Sequence, residues 1–196
     1  NIKLDFDNPL LASLMETIPI STYTQPNFVP DDWSLWSEGS ISVSRIGDGG
    51  SSENSPKETD SQSVAFGFDK KINESDLLGF AIQYGLSDAD VGSDGTGIDT
   101  ESLSLTIYRT KPFNNNNFMQ GLIGFGIIES DSVRKSSGNT LTGSRNGNQL
   151  FGSINYGKTF GQGEFNATPI VRLDLGYTEL DSYTETGTDA LSYSKQ

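Results

Sequence analysis

The side chains of this sequence predict an all-β fold: an antiparallel up-and-down transmembrane β-barrel with about eight strands present and a short N-terminal helix. Three observations lead there. From Phe165 to Tyr177 one face reads Phe165, Ala167, Pro169, Val171, Leu173, Leu175, Tyr177 and the other Asn166, Thr168, Ile170, Arg172, Asp174, Gly176. That period of two marks a strand with one apolar side. Similar segments recur at hairpin spacing along the chain. Their non-apolar faces are rich in Gly, Ala, Ser and Thr, whereas a face in water is normally charged.

Composition narrows the chemistry. The 196 residues suffice for one sizeable domain or small barrel. No run of about 18 or more apolar residues is present, so no transmembrane helix is expected, a test that a β-barrel escapes. The chain opens Asn-Ile-Lys-Leu with neither an initiator Met nor a signal peptide, and reads as a mature segment. Cysteine is absent, which removes disulfides, thiolate metal sites and a Cys nucleophile. Histidine is absent too, which excludes Ser-His-Asp and Cys-His pairs and His-ligated metals. A net charge of −13 and a pI near 4.2 argue against nucleic acid as a partner.

The elements follow in order. Asn8-Pro9 is a helix start, and Leu10, Leu11, Leu14, Met15 and Ile18 share one helical face until Pro19 ends it. Residues Ser21–Asp32 read as irregular, so 1–32 forms a linker segment and 33–196 the barrel. Strands are expected at Trp33–Ile46, Gln62–Asp69, Leu77–Ala89, Thr100–Thr110, Phe118–Val133, Asn148–Phe160 and Phe165–Leu180, with another beginning near Asp189.

Connections of two kinds alternate. Asp69–Asp76, Lys111–Asn117 and Gly161–Gly163 are short. Gly47–Ser61, Asp90–Asp99, Lys135–Gly147 and Asp181–Thr188 are long and rich in Gly, Ser, Asp, Asn and Thr. In a meander, alternate connections emerge at one end, so one end is short-turned and the other long-looped, as in outer-membrane barrels. Lys70, Lys71, Lys111 and Lys158 lie at the short-turned end.

Period two alone leaves open which face points inward: a soluble barrel or sandwich buries the apolar face, and a membrane barrel reverses it. Strands of about 11–16 residues exceed the roughly 9–11 that span a bilayer. Aromatics near strand ends, among them Trp33, Trp36, Tyr84, Tyr108, Phe160, Phe165 and Tyr177, suit an interfacial girdle; core aromatics of a soluble β protein are the competing reading. With lipid outside, Gln83, Arg172 and Asp174 face the lumen, where the two charges need partners. Asp90, Asp94 and Glu101 hold the first, fifth and twelfth places of an EF-hand-like loop, but Gly92 takes the third and strands flank it. A plain acidic loop is the better reading, and no metal or cofactor is expected.

Several motifs resemble the autotransporter β-domain family. Trp33-Ser-Leu-Trp36-Ser-Glu-Gly39 looks like its first strand, and Phe66-Gly-Phe-Asp69 and Gly79-Phe-Ala-Ile-Gln-Tyr-Gly85 like its second and third. Tyr183-Thr-Glu185-Thr-Gly187 with Leu191-Ser-Tyr193 resembles the family's Tyr-x-Glu-x-Gly and Leu-x-Tyr segment. The resemblance implies a twelve-stranded outer-membrane barrel, not an enzyme, that exports an N-terminal passenger to the cell surface and anchors it there. It also implies outer-membrane lipid, the passenger and the barrel-assembly machinery as partners, and a monomer. The 8–18 helix is then a linker in the lumen, or alternatively a cap on a barrel end. No Asn-Asn pair occurs in residues 1–32, so self-cleavage by that family route is not expected. The family's terminal aromatic strand is missing, so the barrel reads as truncated by about four strands. The alternative is a porin-like or lipocalin-like barrel that passes or binds a small ligand in its interior.

Overall fold

The computed structural model describes residues 16–24, 30–46, 57–73, 75–92, 95–114, 116–136, 138–162 and 165–196. The strands are β1 (Glu16–Thr24), β2 (Trp33–Ile46), β3 (Lys57–Lys71), β4 (Leu77–Val91), β5 (Thr96–Asn114), β6 (Asn117–Ser136), β7 (Asn139–Lys158), β8 (Phe160–Gln162), β9 (Phe165–Ala167), β10 (Ile170–Leu180), β11 (Tyr183–Thr184) and β12 (Ser192–Tyr193). One eight-stranded antiparallel sheet runs in the order β1-β2-β3-β4-β5-β6-β7-β10. The pairs β8–β9 and β11–β12 are small separate hairpins. The chain is therefore all-β and antiparallel, in up-and-down order. Among the described residues β1 and β10 do not pair with each other, and the sheet is open.

Several expectations change. Most of the Asn8–Ile18 helix lies outside the described residues. Its last residues, Glu16–Ile18, begin β1, and Ser21–Thr24, the first part of the segment expected to be irregular, end it. Pro19 sits within β1 because an edge strand tolerates its missing N–H. The segment Phe165–Tyr177 is not one strand: Phe165–Ala167 turns back on Phe160–Gln162, and β10 starts only after Pro169. The alternation survives through Pro169, but the proline supplies no ladder donor there. The strand expected near Asp189 is the two-residue β12, which pairs with β11 outside the main sheet.

The two kinds of ends are also recast. The polar stretches 90–99 and 135–147 are largely strand: β4 and β5 are joined across Gly92 and Gly95, and β6 and β7 across Gly138. These three glycines have φ of 76°, 81° and 83°, the left-handed conformation that tight hairpins require. Main-chain bonding does not need an apolar face, so the ladder continues past the last apolar residue. At the other end, Asn73 caps the β3–β4 turn: its Oδ1 accepts from the N–H of Ser75 (3.2 Å) and Asp76 (2.9 Å).

Register assigns the faces. Phe66, Ile82, Leu105, Phe125, Leu150 and Tyr177 are successive cross-strand partners, and all are exposed. So are Phe68, Phe80, Ile107 and Ile123 in the neighbouring row. Residues between these rows are small and shaded: Gly67, Ala81, Thr106 and Gly124 are successive partners and all buried. The apolar side is the convex one. From Leu78 to Leu86 on β4, at about 3.3 Å per residue and a tilt near 40°, the belt stands roughly 20 Å tall. Outer-membrane barrels carry such a band of about 25 Å.

Because the chain has no cysteine, introduced pairs report register directly. Ser61 and Ser87 are partners with hydroxyls 2.9 Å apart. Ser61→Cys with Ser87→Cys is expected to form an intramolecular disulfide under mild oxidation, read as a gel shift. Ser61→Cys with Leu86→Cys, one residue and one face away, is expected to stay reduced.

Candidate functional site

The concave face is the feature a transported or bound chain could meet. Its rows are ladders of small hydroxyls. Ser40 and Ser63 meet at 2.7 Å, Gln83 Nε2 donates to Ser63 Oγ at 3.2 Å, and Thr100 and Ser130 meet at 3.2 Å. With Gly85, Gly126 and Ala81 between them, the described side chains of this stretch are mostly short. Such a face offers hydrogen bonds to any extended backbone and deep binding to none.

Toward the turn end the interior is tied across strands. Trp36 Nε1 donates to Tyr108 Oη at 2.6 Å and to Asp69 Oδ1 at 3.2 Å, and the Tyr108 hydroxyl donates to the same carboxylate oxygen. Asp69 and Tyr108 are each 4% exposed. The indole lies across Gly67 and the phenol across Gly79, where a Cβ would overlap either ring. Phe151 covers Gly124 and Phe118 covers Gly157 in the same way. Each glycine is the space that lets a lumen aromatic lie flat along the wall.

At the loop end, residues 181–196 fold over the concave side of the β6–β7 extension. Arg134 clamps Glu185 through two bonds, Nε to Oε1 at 2.9 Å and Nη2 to Oε2 at 2.6 Å. The N–H of Leu191 also donates to Glu185 Oε2, at 3.0 Å. Arg134, first, and then this N–H hold the Glu185 carboxyl down to about 2, from an ordinary 4.5. Arg145 stands 5.6 Å from the Tyr183 ring and donates to the carbonyl of Asp181; Tyr183 stacks on Tyr193 at 4.8 Å. Leu141 beneath is fully buried. Gly187, at φ 131°, turns the chain where a side chain would be strained. The Tyr-x-Glu-x-Gly segment carries this contact, whereas nothing in the sequence marked Arg134 or Leu141 as its partners.

The residues singled out from sequence are placed as follows. Gln83, Arg172 and Asp174 lie on the concave side, and Arg172 Nε donates to Asp174 Oδ1 at 2.8 Å on the same strand. Trp33, Tyr84 and Tyr177 lie on the convex side. Trp36 and Tyr108 do not belong to that girdle: Trp36, three residues after Trp33 in a period-two strand, points into the interior. Asp94 lies outside the described residues. Asp90 and Glu101 stand two rows apart on the convex side, in strands rather than in a loop. Among the described residues no group of His, Cys, Asp or Glu is gathered to hold a metal ion.

A family model, the autotransporter beta-domain, matches residues 35–196. The translocator domain of the autotransporter NalP from Neisseria meningitidis has a similar fold, with a TM-score of 0.69 and 16% identity. The match covers 87% of this chain and 59% of that one, so the chain spans about three fifths of that domain's length. The siderophore receptor PiuA from Acinetobacter baumannii aligns at a TM-score of 0.48 and 10% identity, over 93% of this chain and 31% of that one. No curated protein sequence matches.

Two outcomes follow from this geometry. Gly67→Val should displace the Trp36 ring and lower stability by about 1–3 kcal/mol, the usual cost of overpacking; the urea midpoint followed by tryptophan emission measures it. Glu185 has a folded pKa below its unfolded value, so its clamp contributes fully above about pH 4.5 and fades as pH falls toward 2. The backbone amides of residues 181–196 should therefore lose hydrogen-exchange protection as pH falls across that window, and proteinase K should cut Glu185→Gln readily already at neutral pH.

Proposed function

The chain belongs to the autotransporter β-domain family, and from that premise we propose that its barrel exports an N-terminal passenger and anchors it at the cell surface. It is an outer-membrane β-barrel domain of type V secretion. The observation that carries the reading is the inverted sheet, with Leu105 at 60% exposure beside Thr106 at 3%. A sheet folded around a protein core would have these values exchanged.

The role assigned to each part follows from its chemistry. The convex belt faces the hydrocarbon, with Trp33, Tyr84 and Tyr177 as aromatics on the lipid side. The hydroxyl-lined interior passes an extended chain, with Gln83, Arg172 and Asp174 along the route. Small polar walls bind no segment tightly, which suits transit, a role that calls for no enzymatic chemistry. Residues ahead of β1 connect the barrel to the passenger. Lipid, the passenger and the barrel-assembly machinery are the partners, and the working unit is a monomer.

Facing is tested by one pair of variants. Leu105→Arg places a charge in the belt and should cost about 2–4 kcal/mol of membrane insertion near the midplane; Ser104→Arg, on the concave side, should insert nearly as the parent does. Equal loss in both would refute an outward lipid belt. Export is tested by an epitope fused ahead of Asn1: it should be digested by protease on intact cells, and an epitope protected until the outer membrane is opened defeats the translocator reading.

A further inference from the structure

The convex surface carries its charges in two zones separated by the belt. Toward the loop end, Asp60, Asp88, Asp99 and Asp131 are successive cross-strand partners in one row, and Glu101 faces Glu129 in the row nearer the belt. Toward the turn end the convex strand residues Lys70, Arg109, Lys111 and Lys158 are cationic, beside the carboxylates of Asp32 and Asp76. Arg109 is already engaged by Asp76, at 2.8 and 3.0 Å. The three lysines share another arrangement. Lys70 Nζ stands 5.4 Å from the centre of the Trp33 ring, Lys111 Nζ 5.7 Å from Phe113, and Lys158 Nζ 4.8 Å from Phe160.

These are the strands β3, β5 and β7, which all run toward the turn end, and each closes in a lysine set against an aromatic ring. Lys111-Pro-Phe113 and Lys158-Thr-Phe160 even share one spacing. Phe113 and Phe160 are about half exposed, although a large apolar ring gains nothing from water. The ring occupies one side of each ammonium, which leaves donors directed outward. Asp32 approaches Lys70 only at 3.9 Å, with both side chains well exposed.

Depth identifies what meets these donors. Lys70 and Lys158 each follow the last outward apolar residue of their strand, Phe68 and Tyr156, by two positions. Two residues at that tilt place each about 5 Å past the last outward apolar side chain of its own strand, with Lys70 level with Leu78 at the edge of the belt. The headgroup layer of a bilayer occupies roughly the next 5–7 Å on each side. An anion in that layer, next to an aromatic edge, is a lipid phosphate.

We propose that the turn-end rim is a binding surface for anionic glycerophospholipid, each lysine–ring pair seating one headgroup phosphate of the inner leaflet. The proposal rests on the outer-membrane barrel reading and adds the lipid class and the leaflet. The carboxylate rows at the opposite end repel the same headgroups, so the two zones together favour one orientation.

The test uses the full chain, refolded into vesicles of phosphatidylcholine alone or of two parts phosphatidylcholine to one of phosphatidylglycerol. Folding is read by heat-modifiable mobility and the urea midpoint. Phosphatidylglycerol should raise the inserted fraction, by up to roughly fivefold per engaged lysine, and added salt should remove the gain. The triple variant Lys70→Gln, Lys111→Gln, Lys158→Gln should insert into phosphatidylcholine like the parent but lose the gain. Lys57→Gln, Lys135→Gln, Lys195→Gln removes equal charge from the loop end and should keep it. Inorganic phosphate added to phosphatidylcholine vesicles should not substitute for the lipid. If the rim triple keeps the gain, if the loop-end triple loses it equally, or if phosphate alone reproduces it, the rim is not the surface. Insertion that is equal in both vesicle types overturns the lipid proposal alone; failure to insert into either overturns the barrel reading with it.

Discussion

A strand in hydrocarbon has no water to fall back on for its N–H and C=O groups, and each one left open costs several kcal/mol. The rest of the structure depends on that constraint. It explains why the chain is built of long neighbouring strands, why every strand of the main sheet pairs with the next in order, and why helix is absent from the described residues. It also gives the two outer strands, β1 and β10, a special standing. Each presents a ladder edge with no partner among the described residues, and such an edge takes up another strand in lipid.

Once the ladder is closed by the main chain, side chains are free to serve the two solvents. Outside, branched and aromatic residues make up the exposed belt. Inside, hydroxyls bond to one another across strands. Stability inside cannot come from a conventional core, because the interior is mostly Ser, Thr, Gly and Ala. It comes instead from a few aromatics laid along the wall. Trp36, Tyr108, Phe118 and Phe151 each lie on a glycine of the adjoining strand, so that packing is obtained without obstructing the hollow. The glycines that read as weak points in a strand are the places where the wall is thinned to receive a ring.

Much of this was legible in the residues, for definite reasons. The strands at Trp33–Ile46 and Leu77–Ala89 could be read because apolar and small residues alternate along them without interruption. The outward direction of the apolar face could be read because the opposite face is small rather than charged. What escaped was whatever alternation does not encode. The polar extensions of β5, β6 and β7 look like loops, since a ladder of Ser, Asp and Thr leaves no hydrophobic trace. β1 escaped because Pro19 argues against a central strand and is acceptable on an edge. Trp36 was misassigned by grouping it with Trp33, although counting parity separates them. Arg134 and Glu185 lie 51 positions apart, and their meeting depends on the fold-back of the tail, which no local pattern announces.

The hairpin of β6 and β7 has a consequence of its own. Both strands are 20 residues long, about twice what a bilayer requires, so together with β5, which pairs along β6 as far as Val133, they form a collar beyond the belt. Its register binds it to one arithmetic. An insertion of two residues in each strand lengthens the collar and preserves every face, whereas a single residue reverses all that lie beyond it. Changes of height in such a collar should therefore come in steps of four residues per hairpin, and between steps the polar side chains can drift freely. The part of the molecule farthest from the belt is then also the part whose surface can be rewritten at least cost to the fold.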